Sequence, residues 1–239
     1  GITLNSVVEE TWVNDNTITD CHRGILTMEV FAKLHIIDNS ITTRCDPLNP
    51  TSAKYKDEWG ILIGGDGDFY DSSPPYAWQV DNLQHEVSGN TITGTSTTDS
   101  VGIGVVPGWY DKDYGASGTF TGNSISGYKY GIKVWGTHDP YRGSTEDMTS
   151  HVHVSFAFNN IVDCTTDATV DTVWSGAAGG IDAENNWWGA DTGPDTISDK
   201  YDYDPWLTAP IRVGGVKSET VTGDGSVDAR DEADTTVYI

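Results

Sequence analysis

Residues 122–135 read GNSISGYKYGIKVW: an Asn, an Ile two places later, then a Gly-Ile pair. The phrase recurs as DNTITDCHRGIL at 15–26, as DNSITTRC followed by WGILI within 38–63, and as GNTITGTSTTDSVGIGV at 89–105. A looser copy begins NNIVDC at 159. Aligned on the Asn, the anchors are Asn16, Asn39, Asn90, Asn123, Asn159 and Asn186. The shortest interval, from Asn16 to Asn39, defines the repeating unit. An apolar residue stands three places before each anchor (Val13, Ile36, Val87, Phe120, Phe156, Ala183), and an Ile stands two after five of them (Ile18, Ile41, Ile92, Ile125, Ile161). Alternation of period two is the pattern of strands, not helices.

Short strands punctuated by Asn, Gly, Ser and Thr at a fixed period suit a coil in which each circuit lies on the last with parallel pairing. The expected fold is all-β, a right-handed parallel β-helix with long loops inserted on one edge. The Asn at one recurring bend is expected to stack as a ladder of side-chain amides, in a turn that tolerates left-handed backbone. A β-sandwich is the competing architecture, because it also uses short strands at regular spacing.

The segment IDAENNWWGADTGP (181–194) followed by YDYDPWL (201–207) resembles the closing segment of secreted parallel β-helix proteins of the pectin-lyase-like type, found in archaeal and bacterial surface proteins. The resemblance covers roughly residues 1–210. It implies that Asn186, Trp187, Trp188, Pro205 and Trp206 form a last-circuit cap, which makes physical sense because an open solenoid end exposes core and strand edges. No catalytic motif of that family matches residue by residue.

Residues 1–210 are therefore read as the β-helix domain and 211–239 as a linker and β tail, or the start of a following domain. Gly1-Ile2 stands as far before Asn16 as Gly24-Ile25 stands before Asn39, so the chain is expected to begin in mid-circuit, as a fragment or mature chain. Within the tail, TGDGSVDARD matches half a calcium loop, except that Thr220 and Thr222 stand where acidic ligands belong.

Composition restricts the partners. The 36 Asp and Glu against 13 Lys and Arg give a formal net charge of −23, which repels nucleic acid and anionic membranes and offers hard oxygen ligands to cations. No apolar run reaches membrane-spanning length, and GITLNSVVEE is not a signal peptide. An extracellular or cell-surface location is expected, with no nucleic-acid partner and no membrane insertion. Three cysteines leave at least one thiol unpaired; Cys21 and Cys45 fall on adjacent circuits, near enough to stack or bridge, and Cys164 lies apart.

Function is expected where the circuits are longest. The basic distance from a Gly-Ile pair to the next anchor is the one from Gly24 to Asn39. It is close to doubled from Gly60 to Asn90 and from Gly131 to Asn159, and it is also lengthened from Gly102 to Asn123. Loops at approximately 64–79, 106–115 and 135–148 should stack side by side, since neighbouring strands are only about 4.8 Å apart. They are enriched in aromatics over the 10% of the whole chain. Tyr70, Tyr76, Trp78, Trp109, Tyr110, Tyr114, Trp135 and Tyr141 are the candidate sugar-stacking rings, since the C–H face of a pyranose packs on an aromatic face while carboxylates take its hydroxyls. The same rings would also serve to pin the loops to the scaffold.

Asp66, Asp68, Asp71 and Asp111 are candidate Ca²⁺ ligands. If the surface is catalytic, Asp113, Asp139, Glu146 and Asp147 are the candidate carboxylates of a glycoside hydrolase, while Lys112 and Arg142, with Tyr110 and Tyr141, are the candidate bases of a polysaccharide lyase. His151 and His153 alternate with valines and are read as a solvated strand face, with metal binding as the alternative.

Three functions follow as expectations. One is a carbohydrate-binding or adhesive module that takes a polysaccharide or cell-surface glycan, with Ca²⁺ as the candidate ion that orders its loops. Another is a polysaccharide lyase or glycoside hydrolase on the same surface. The third is a structural subunit of a surface layer or filament, self-associating head to tail through open β-helix ends.

Overall fold

The computed structural model describes residues 1–44, 58–65, 83–95, 100–108, 115–137 and 145–211. The domain tail beyond 211, with its half calcium loop, lies outside them, as does Cys45 and with it any bridge to Cys21.

The chain makes repeated passes, and each of the first five lays one strand in each of three sheets. The passes run β1 (Ile2–Val7), β2 (Thr11–Asn14), β3 (Thr17–Cys21); β4 (Arg23–Val30), β5 (Leu34–Ile37), β6 (Ser40–Thr43); and β7 (Glu58–Gly64), β8 (His85–Ser88), β9 (Thr91–Thr93). They continue as β10 (Ser100–Val106), β11 (Ala116–Thr121), β12 (Ser124–Ser126); β13 (Tyr130–Val134), β14 (Val152–Ala157), β15 (Asn160–Val162); and β16 (Thr166–Val170), β17 (Ile181–Asp182), followed by β18 (Tyr201–Asp202).

The first sheet has the order β1-β4-β7-β10-β13-β16, the second β18-β17-β14-β11-β8-β5-β2, and the third β15-β12-β9-β6-β3. Representative ladders in each sheet are parallel, as in β10 on β7, β11 on β8 and β12 on β9. Three stacked all-parallel sheets are the arrangement of a parallel β-solenoid, and no α-helix interrupts the described residues.

The sequence phrase maps onto this geometry residue by residue. The positions three before each anchor pair across the second sheet (Val13 with Ile36, Ile36 with Val87, Val87 with Phe120, Phe120 with Phe156), and those two after it pair across the third. Ile2, Ile25, Ile61, Ile103 and Ile132 form the matching row of the first sheet. All three rows enter one core cluster, where Ile36, Ile61, Ile92, Ile103, Ile125 and Phe156 are wholly buried. Each such side chain stabilises by roughly 1.5–3 kcal/mol relative to exposure.

The Asn ladder is continuous. Each anchor from Asn39 to Asn186 uses its Oδ1 to accept the backbone N–H of the anchor before it, at 2.9 to 3.1 Å. From Asn16 to Asn159, each Nδ2 also donates to the next Oδ1 at 2.9 Å. The left-handed bend expected at the Asn falls one residue earlier. Asp15, Asp38, Gly89, Gly122, Phe158 and Asn185 have φ of 56°, 55°, 66°, 65°, 55° and 57°. That bend turns the chain so that the following amide points along the stack.

The Gly of each Gly-Ile pair has a packing cause. A Cβ on Gly60 would fall on Cγ2 of Ile92 and the carbonyl of Gly102, and one on Gly102 would fall on Cγ2 of Ile125 and the carbonyl of Gly131. The first-sheet strand thus passes directly against the third-sheet isoleucine of its own pass and the first-sheet backbone of the next, which leaves no room for a side chain. Asp167 takes this position in β16, opposite Gly131, and its carboxylate accepts the backbone N–H groups of Asp195 and Thr196 at 3.0 and 3.2 Å.

The closing segment lies where the ladder ends. Trp188 is buried in the main core, while Trp187 and Phe158 pack on Leu207 and Ile211. Leu207 donates its N–H to the carbonyl of Asn186 at 3.0 Å, and the side chain of Asn160 bonds both backbone groups of Ile211, at 2.7 and 2.9 Å. A second cluster of Leu26, Trp59, Leu62, Val101, Val106 and Trp135 alternates along the first sheet with the residues of the main core.

Candidate functional site

The three long loops leave from adjacent strands. Val106, at the end of β10, pairs with Gly64 at the end of β7, and Val134, at the end of β13, pairs with Val105. Insertions at this corner therefore start side by side and return to adjacent strands of the second sheet, β8, β11 and β14.

Most of the predicted site residues lie outside the described residues: Asp66, Asp68, Tyr70, Asp71, Tyr76 and Trp78 in the first loop, Trp109, Tyr110, Asp111, Lys112, Asp113 and Tyr114 in the second, and Asp139, Tyr141 and Arg142 in the third. Trp135, Glu146 and Asp147 are described. The Trp135 ring is 5% exposed and packs in the second cluster, with the Lys133 ammonium 4.6 Å from its centroid. Glu146 is exposed. Asp147 accepts the Thr149 N–H at 3.0 Å, and hydrogen bonds from the side chains of Ser175 and Thr149 hold its carboxyl below the usual range.

The corner holds a further carboxylate that the repeat pattern did not single out. Asp171 follows β16 at the same corner of the fold. Its Oδ1 accepts the N–H groups of Gly136, Val173 and Trp174 at 3.1, 3.2 and 3.2 Å. Burial raises its pKa, against those hydrogen bonds. Among the described residues, no hydrogen-bond partner meets its buried Oδ2 or the buried Trp174 Nε1. The two ends of the third loop meet here: Met148 donates to the carbonyl of Gly136 at 2.6 Å, and Ser175 donates to Thr149 Oγ1 at 3.2 Å.

The outer face of the second sheet adds a polar row. Pairing places Trp12 beside His35 and His35 beside Glu86, then aligns Glu86 with Thr119, Thr119 with Ser155, Ser155 with Asp182 and Asp182 with Asp202. Through Asp182, each stands four residues before its anchor Asn, one place from the buried apolar row, so strand alternation turns it outward. Next to this row, where the loops return, lies a cavity of about 280 Å³ lined by Gln84, Gly118, His153, Ser155 and Ile181. That is close to the lower end of small-ligand sites. His153 is exposed in β14, whereas His151 closes a 3₁₀ turn, Thr149–His151. Among the described residues, no three His, Cys, Asp or Glu side chains are grouped to hold a metal ion.

One further polar group lies inside. Glu58 Oε1 accepts the Thr43 hydroxyl at 2.7 Å and the Thr95 N–H at 3.0 Å, and the Tyr128 hydroxyl lies 2.7 Å from Thr43 Oγ1. Burial raises the pKa of Tyr128 and pushes the neighbouring Cys164 thiol up to about 11. A thiol of that kind is a packing group rather than a nucleophile.

No protein-family model matches the chain, and searches of curated proteins and of solved structures found no match.

Proposed function

We propose that the three sheets close as a right-handed parallel β-helix and that the chain is an extracellular or cell-surface module binding carbohydrate. The glycan would lie across the loops at 64–79, 106–115 and 135–148, with Ca²⁺ held by the loop aspartates to order them. The observation that supports this reading is the shared corner. Three aromatic-rich, acidic insertions start from paired strands and return beside a cavity and a row of outward hydroxyls and carboxylates. Ring faces supply stacking area, and carboxylates and hydroxyls supply the hydrogen bonds that orient a sugar.

A panel of neutral and acidic polysaccharides, offered to the full chain with Ca²⁺ or with chelator, tests it. Retention on at least one polymer, weakened by chelation, is expected. Absence of retention on every polymer overturns the reading.

A second reading is glycoside hydrolysis on the same loop surface, which Asp113, Asp139, Glu146 and Asp147 in the insertions motivate. Mass spectrometry of the soluble fraction from that panel separates the two, because only hydrolysis yields shortened oligosaccharides.

A further inference from the structure

The outer face of the third sheet carries hydroxyls in register. Pairing sets Thr17 beside Ser40, Ser40 beside Thr91 and Thr91 beside Ser124, each one residue after an Asn rung. Two places further along the strands, Thr42 pairs with Thr93 and Thr93 with Ser126. Ile18, Ile41, Ile92 and Ile125 run between the two rows and are buried, so strand alternation turns both rows outward. Thr17, Ser40, Thr42 and Thr91 are exposed, and Thr93, Ser124 and Ser126 are half-buried. Among the described residues, no hydrogen-bond partner meets any of these seven hydroxyls.

The array repeats in two directions. Neighbouring strands stand about 4.8 Å apart, and residues two apart on one strand stand about 6.6 Å apart. The Asn ladder fixes the first spacing, because its rungs bond to one another immediately before the first hydroxyl row. The buried isoleucines pin each strand between the rows, and Thr is stiff at χ1, so hydroxyls and methyls are set in place before any partner arrives. No charge interrupts the rows, although 21% of the chain is charged. The register shifts between Ile18 and Cys21, which takes Thr19 out of the second row, and Asp20 pairs with Arg44 at 3.5 Å beyond it. At the other end Val162 follows Ser126, and the Asn160 side chain turns to Ile211. This face looks sideways from the stack, not along it, so added passes would extend the rows and leave them open.

Few partners fit such a face. A pyranose asks for an aromatic ring to stack on, which these rows lack. Protein interfaces concentrate aromatic, Met and Arg side chains and are depleted in Ser. An ion asks for opposite charge. A rigid, neutral lattice of groups that both donate and accept matches another lattice of the same kind.

We propose that the outer face of the third sheet adsorbs to ice. Ice presents a neutral, periodic surface whose oxygens donate and accept, at intervals close to the two spacings of the rows. Hydroxyls held in register fix bridging waters at positions that the ice surface shares, and little side-chain entropy remains to be lost. The activity uses no loop residue and stands apart from glycan binding.

Single ice crystals grown slowly in solutions of the full chain test it. Faceted crystals are expected, with a gap between melting and growth temperatures that widens with protein concentration. Thr91→Tyr in the first row and, separately, Thr42→Lys in the second should abolish the gap and return round crystals. Both side chains are exposed, so thermal melting should be unchanged, and should one variant unfold, the other decides. Thr208→Tyr, exposed on the closing segment, should shape ice as wild type does.

Round wild-type crystals that grow as soon as they are cooled below the melting point overturn the proposal, whatever the polysaccharide panel shows. A gap that survives both row substitutions, or one lost equally in Thr208→Tyr, also overturns it.

Discussion

The Oδ1 of Asn123 accepts two hydrogen bonds from Asn90, one from its backbone N–H at 3.0 Å and one from its Nδ2 at 2.9 Å. Asn123 passes its own N–H and Nδ2 on to Asn159 and also bonds the carbonyl of Val87 at 2.8 Å. Every one of these groups is buried, so a missing rung leaves donors and acceptors without water. Asn123→Ala should destabilise the chain by about 3 kcal/mol or more. Asn16→Ala, at the open end of the ladder, should cost only about 1 kcal/mol. Urea denaturation of the two variants checks the contrast, and equal losses would contradict the ladder's role.

The Gly-Ile pairing makes a second prediction. Gly102→Ala places a methyl on Ile125 Cγ2 and on the carbonyl of Gly131, and should cost about 1–3 kcal/mol by overpacking. Trimming the partner with Ile125→Ala should cost about 2–5 kcal/mol alone, yet the double variant should be more stable than the sum of the single losses implies. A double-mutant cycle by chemical denaturation measures that coupling, and strict additivity would contradict the contact.

The burial of Asp171 sets a pH dependence. Its folded pKa lies above the ordinary carboxylate value, so its contribution is most favourable at acid pH and is lost as pH rises through the folded value. Asp171→Asn keeps an acceptor for the Gly136, Val173 and Trp174 N–H groups without that charge. The variant should gain stability relative to wild type as pH rises from about 3 to 7. Asp147 has the opposite sign: its lowered pKa gives stability above the unfolded value that disappears as acid protonates the folded group. Melting curves across that range, for wild type, Asp171→Asn and Asp147→Asn, check both directions.

The buried hydroxyl of Tyr128 offers a local test. Tyr128→Phe removes the partner of Thr43 Oγ1 but leaves the Thr43 bond to Glu58, so a loss of about 1 kcal/mol is expected. Denaturant midpoints give the value.

The scaffold was legible because its repeating chemistry is specific. An Asn rung every pass, an apolar residue three before it and an Ile two after it each have one structural use, and even the long interval from Asn39 to Asn90 does not disturb the register. The left-handed bend was less legible, because Asp, Gly, Asn and Phe all occupy it and share no side-chain chemistry. Trp12, His35 and Glu86 went unread for a related reason: they form one row only when the position four before each rung is followed outward, and their types differ. Asp171 escaped because β16 lacks the Gly of its predecessors, so its turn carries no repeat signature. Trp135 was legible as an aromatic at a loop base, but sequence alone does not tell a ring packed on Leu62 and Val106 from one turned to solvent.

The central claim is that the loop corner binds carbohydrate. Isothermal titration of the full chain with the polysaccharides it retains, in Ca²⁺ and again with Trp78 and Trp109 replaced by Ala, addresses it most directly. The account predicts saturable binding that both chelation and the two substitutions weaken by about tenfold or more, with the fold intact. Binding indifferent to both changes, or no heat with any glycan, would contradict it.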